Sequence, residues 1–93
     1  MTVLTDATVD RHFELVGDAL QKVSIASTLS KDKKEMAQAL LDKAQRHFDD
    51  AASFRERGKV VEAFASINYV EGVLDAGACF GFFKRDSIEL FCK

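Results

Sequence analysis

Between Val60 and Phe83 the chain sets terms that the remainder has to meet. Val60, Phe64, Ile67, Val70 or Glu71, Leu74 and Ala78 recur at steps of three and four. That is the period of an α-helix with one buried face. Such a face is not stable in water alone, so the rest of the chain must supply helices to cover it. The chain holds no proline, which removes the commonest interruption of a helix.

Two further helical patterns precede this stretch. Val9, Phe13, Val16, Leu20 and Val23 fall on one face, with Arg11, Glu14, Asp18 and Lys22 elsewhere. They predict a first helix over about 8–27, capped by Asp6 or Thr8. Gly17 weakens it by roughly 0.5–1 kcal/mol without ending it. Ser30 is a good N-cap for a second helix over 31–57, and Asp32 suits its first turn. Ala37, Leu41, Ala44, Phe48, Ala51 or Ala52, and Phe54 or Arg55 form its apolar face. Gly58 follows as a C-cap, so Arg57, Gly58 and Lys59 read as a tight turn between antiparallel helices. The third helix is expected over 60–81. Gly77 and Gly81 have G-x-x-x-G spacing, which suggests a close crossing against the alanines of helix two, or fraying.

After Gly81 the chain is apolar again, through Phe82, Phe83, Ile88, Leu90 and Phe91, and broken by Lys84, Arg85, Asp86 and Ser87. A short helix over 86–91 fits this segment. The expectation is that it folds back over the open end of the bundle, with a subunit contact as the alternative. The predicted architecture is all-α: a three-helix antiparallel up-and-down bundle with a short apolar C-terminal extension, in one domain spanning 1–93. Ninety-three residues suit one domain of this kind and bury roughly 60–65 per cent of the unfolded surface.

Charge and composition exclude several classes. A formal net charge of −2 gives no long-range attraction to nucleic acid. No segment approaches the ~18 apolar residues of a membrane span, and Asp6, Asp10 and Arg11 interrupt the N-terminus too early for a signal core. Cys79 and Cys92 are too few for a secreted framework, so free thiols, no disulfide and a cytoplasmic setting are expected.

No convergent catalytic set is visible. His12 and His47 are the only histidines and sit in no ligand-spaced motif, so boundary or surface positions are the expectation. Glu71 and Asp75 lie four apart on helix three and share a flank. Asp42 and His47 on helix two could meet them, as could Asn68 and Tyr69 beside them on helix three. That set is the candidate for a metal or small ligand, or for an enzyme. Arg55, Arg57 and Lys59 at the turn are candidates for weak RNA or anion contact. Phe80, Phe82, Phe83, Leu90 and Phe91 are candidates for a protein interface. No cofactor is implied.

The phrase Gly58-Lys59-Val60-Val61-Glu62-Ala63-Phe64 looks like a tetratricopeptide-type hairpin, but one hairpin makes no array. A more extended resemblance runs through Ala44, Phe48, Ala51, Phe54, Gly58-Lys59, Ala63-Phe64, Asn68-Tyr69, Gly72 and Asp75-Ala76. These spacings resemble a family of small archaeal proteins, domain-of-unknown-function family 357, over about 31–81. The resemblance implies a left-handed three-helix up-and-down bundle and supplies no activity. His47-Phe48 stands where such proteins often carry tyrosine. The functional expectation is therefore a non-enzymatic interaction or scaffold module, with a protein partner or self-association.

Overall fold

The computed structural model describes residues 4–88. Leu90, Phe91 and the second half of the expected 86–91 helix lie outside that range. Three helices follow in order: α1 (Asp6–Lys22), α2 (Lys31–Glu56) and α3 (Val60–Cys79). A single 3-10 turn occupies Arg85–Ser87. The helices run up, down and up, with α2 and α3 in the closest association. The architecture is the three-helix bundle expected.

Each helix end has a local cause. Thr5 caps α1 in place of the expected Asp6 or Thr8, accepting a hydrogen bond from the Thr8 N–H at 3.2 Å. This leaves Asp6 in the first turn, where negative charge is favourable. The Ser30 hydroxyl accepts from the Lys33 N–H at 3.3 Å. At the end of α2 the Lys59 N–H donates to the Phe54 carbonyl and the Gly58 N–H to that of Arg55. Gly58 has φ 75°. This is a Schellman stop, which needs a left-handed residue that glycine adopts without penalty. The end of α3 repeats it. Phe82 donates to Gly77, Gly81 donates to Ala78, and Gly81 has φ 82°.

Helix α1 stops five residues before the expected end at 27. The reason lies in the tail. Lys84 donates its N–H to the Ser24 carbonyl at 2.9 Å, and Ala26 donates to that of Phe82 at 2.9 Å. The Ser24 N–H finds the Ser87 hydroxyl at 3.2 Å, and Ile25 pairs with Phe83 as an antiparallel bridge. Residues 24–26 therefore satisfy their backbone groups across the chain rather than within a helix. Weak helix formers such as Ser24 and Ile25 leave them free to do so.

The core is one continuous cluster drawn from all three helices and the tail. Ala37, Ala44 and Ala51 are fully buried at exact intervals of seven along α2. They face Ala63, Ile67, Val70 and Leu74 of α3, also fully buried. Alanine on this seam lets two helices approach at the short end of the 8–10 Å range. At the far end Phe83 and Ile88 return into the same core, beside Val16 and Ala19 of α1. Gly77 does not meet the alanines of α2, as its spacing suggested. A Cβ there would overlap the Phe83 ring, so it serves the returning tail, while Gly81 makes the turn.

Cys79, the last residue of α3, is disulfide-bonded. This corrects the expectation of free thiols. Counting cysteines tests for a multi-bridge framework; a single bridge needs only a chain reversal, and Gly81 supplies one two residues later. Cys92 lies outside the described residues.

Candidate functional site

The candidate carboxylates do not gather. Glu71 turns toward α1 and is only 8% exposed. Its Oε1 lies 2.6 Å from His12 Nδ1. A carboxylate only accepts, so Nδ1 carries the proton of this hydrogen bond. The Phe64 ring meets the His12 ring edge-on at 5.0 Å between centroids. Asp75, one turn beyond Glu71, has a buried Oδ1 with no hydrogen-bond partner among the described residues. Asp42 is exposed and accepts from Gln38 on its own helix at 3.0 Å. Among the described residues no three His, Cys, Asp or Glu side chains stand close enough to hold a metal ion.

His12 was expected at a boundary or surface position, and it is half-buried; its partner Glu71 was not foreseen. The sequence did carry a signal: His12 is three residues after Val9 and four before Val16, both buried, so it lies on the inner stripe. The pair ties α1 to α3 inside a half-buried seam. We expect His12→Ala to cost about 1–3 kcal/mol, because it leaves a buried carboxylate without its donor. Urea unfolding checks this, with the helix content of the folded state unchanged.

His47 and Tyr69 do come together, with ring centroids 4.2 Å apart. Lys43 Nζ lies 5.9 Å from the same tyrosine ring. This contact is at the rim between α2 and α3, away from Glu71 and Asp75. Asn68 is exposed. At the turn, Arg55 pairs with Asp10 and stacks on Phe13 at 4.9 Å. Arg57 lies over Phe54 at 5.0 Å, and Lys59 is exposed. The three cations thus do not converge on one point.

The interface candidates divide. Phe83 is core, Phe82 is half-buried, and Phe80 is 80% exposed. Phe80 belongs to a larger feature that the sequence reading missed. The exposed positions of α3 beyond Glu62 are Ala65, Asn68, Tyr69, Gly72, Ala76 and Cys79, with Phe80 at the cap. None of them is charged. The only charged residues between Ala63 and Phe83 are Glu71 and Asp75, and both place oxygens in the interior. Val61, 70% exposed, starts the same face. By contrast α1 exposes Asp10, Arg11, Glu14, Asp18 and Lys22, and α2 exposes charges along its length. Beyond Glu62 the exposed face of α3 is therefore uncharged, with Asn68 and the Tyr69 hydroxyl as its polar groups.

No helix among the described residues is long and apolar enough to cross a membrane. Among curated proteins no relative matches the chain, and no solved structure matches it either. One family model does match, described as Protein of unknown function (DUF357), over residues 11–83. That span runs from the first turns of α1 through the whole hairpin to Phe83, the residue that closes the core. The chain belongs to the DUF357 family of proteins of unknown function.

Proposed function

We propose that this protein is a non-enzymatic interaction module that docks through the outer face of α3. One observation carries the reading: from Ala65 to Phe80 the exposed side of α3 is free of charge, on a chain of which 30% is charged. Contiguous uncharged surface bordered by polar helices is the usual mark of a contact site. Tyr69 and Phe80 supply the aromatic groups that dominate such contacts. The carboxylate flank has less support as a ligand or enzyme site, because Glu71 is already engaged and Asp42 and His47 lie elsewhere. RNA or anion binding at 55–59 has less support too, because Arg55 is paired. A cytoplasmic setting fits this module in a cell whose interior tolerates disulfides, as in hyperthermophiles, given the bonded Cys79.

The test is site-specific photo-crosslinking in the cell that makes the protein. A benzophenone amino acid placed at Tyr69 or Phe80 is expected to give an adduct of defined mass. The same group at Gln45, exposed on α2, is expected to give none. Equal yield at all three positions, or no adduct at any of them, would overturn the reading.

A further inference from the structure

We propose that Cys79 is bonded to Cys92 of the same chain, and that this bond is a redox latch on the end of the bundle where α1 and α3 finish. Cys79 carries a disulfide and is exposed at the last position of α3. Cys92 is the only other cysteine in the sequence. After the Gly81 reversal, Phe82 and Phe83 both donate to the Gly77 carbonyl, at 2.8 and 3.2 Å. The segment therefore returns along the last turn of the helix that holds Cys79. Ile88 is then anchored in the core at 4% exposure. Four further residues extend at most ~14 Å, and a disulfide adds about 4.4–6.8 Å between Cα atoms. Together these nearly span the bundle's cross-section of 24 × 21 Å. A tether this short also sets an effective concentration of roughly millimolar. A cysteine on another molecule matches that only at millimolar protein, so closure within the chain wins.

The loop closed by this bond contains the groups that shut this end of the bundle. Phe82 and Lys84 hold the backbone of Ala26 and Ser24. Ser87 accepts from the Ser24 N–H. Phe83 and Ile88 fill the core beside Val16 and Ala19. Pinned at both ends, the loop has fewer open states to visit, so these contacts stay made. With the bond broken, only its own packing holds it. An exposed bridge is open to exchange with a dithiol from solvent. One thiolate of the dithiol attacks a bridge sulfur and forms a mixed disulfide, and its second thiolate displaces the first. The dithiol leaves as a disulfide, having given two electrons, and its two protons end on the Cys79 and Cys92 thiols. The redox state of the surroundings thus sets how firmly 82–88 holds the α1–α2 connection.

Intact mass and amide exchange of the full chain, with and without dithiothreitol, test the pairing and the latch in turn. Unreduced protein is expected at the mass of one chain, 10.3 kDa. Neither cysteine should then be taken by iodoacetamide in denaturant, and one peptide pair should join Cys79 to Cys92. A bond between two molecules, or thiols alkylated without reductant, would overturn the pairing. Dithiothreitol is expected to lower the protection of the Ser24, Ala26 and Lys84 amides at least tenfold more than that of Ala44 in mid-α2. Reoxidation should restore it. Cys92→Ser and Cys79→Ser should each show the low protection without reductant and no further change with it. A loss spread evenly along the chain, no loss at all, or a variant that still responds to dithiothreitol would overturn the latch.

Discussion

Replacing Phe83 with alanine should remove about 3–5 kcal/mol of stability, the largest loss available from any one side chain here. Phe83 is the largest fully buried side chain among the described residues, and loss of a buried phenylalanine ring costs both its transfer energy and the cavity left behind. Against a total of roughly 5–14 kcal/mol for a chain this long, that is about a fifth or more. The effect should spread beyond the core. The backbone on either side of Phe83 holds the α1–α2 connection through Ala26 and Ser24. Amide exchange at Ala26 and Lys84 should therefore accelerate well before that of mid-α2 amides. Gly77→Ala gives the matching control. In an ordinary helix it would stabilise by about 1 kcal/mol. Here the added methyl meets the Phe83 ring, so unfolding in urea should show a net loss. A neutral or stabilising Gly77→Ala would contradict the packing described.

Ala44→Leu should cost roughly 3 kcal/mol, close to the upper end for overpacking. Ala44 is the middle of three alanines with no exposure, in one core cluster with the fully buried Ile67, Val70 and Leu74 of α3. Neither helix can shift without opening the contacts of Ala37 and Ala51 as well. The same change at Ala39, which is exposed on α2, should stay within about 0.5 kcal/mol of neutral. Thermal or urea unfolding of the two variants gives the comparison, and equal effects at Ala39 and Ala44 would refute a close α2–α3 seam.

The helices were legible because their periodicity is strong and their ends carry local signals. Ser30 and Gly58 act where their chemistry predicts. The end of α1 was not legible. Nothing near Val23 stops a helix by itself; the stop comes from Lys84, Phe82 and Ser87, about sixty residues away, which offer the backbone a competing set of partners. Gly77 was misjudged for the same reason: its spacing from Gly81 is local, whereas the ring it accommodates arrives through a chain reversal. The site was legible only in part. Glu71 stood out as a carboxylate beside an apolar stripe, but its partner His12 is on another helix, and only helix phase connects them. The outer face of α3 was overlooked because attention to what a helix buries passes over what it leaves exposed. With Glu71 and Asp75 turned inward, that face has no charge left.

The most direct test of that face as a contact surface is carbene footprinting in intact cells, compared with the purified protein at high dilution. Labelling of Val61, Tyr69 and Phe80 should fall several-fold in cells, while Leu15, partly exposed on α1, should be labelled equally in both. Equal labelling of all four residues in cells and at dilution would show the face open to solvent in its working state, and would contradict the account.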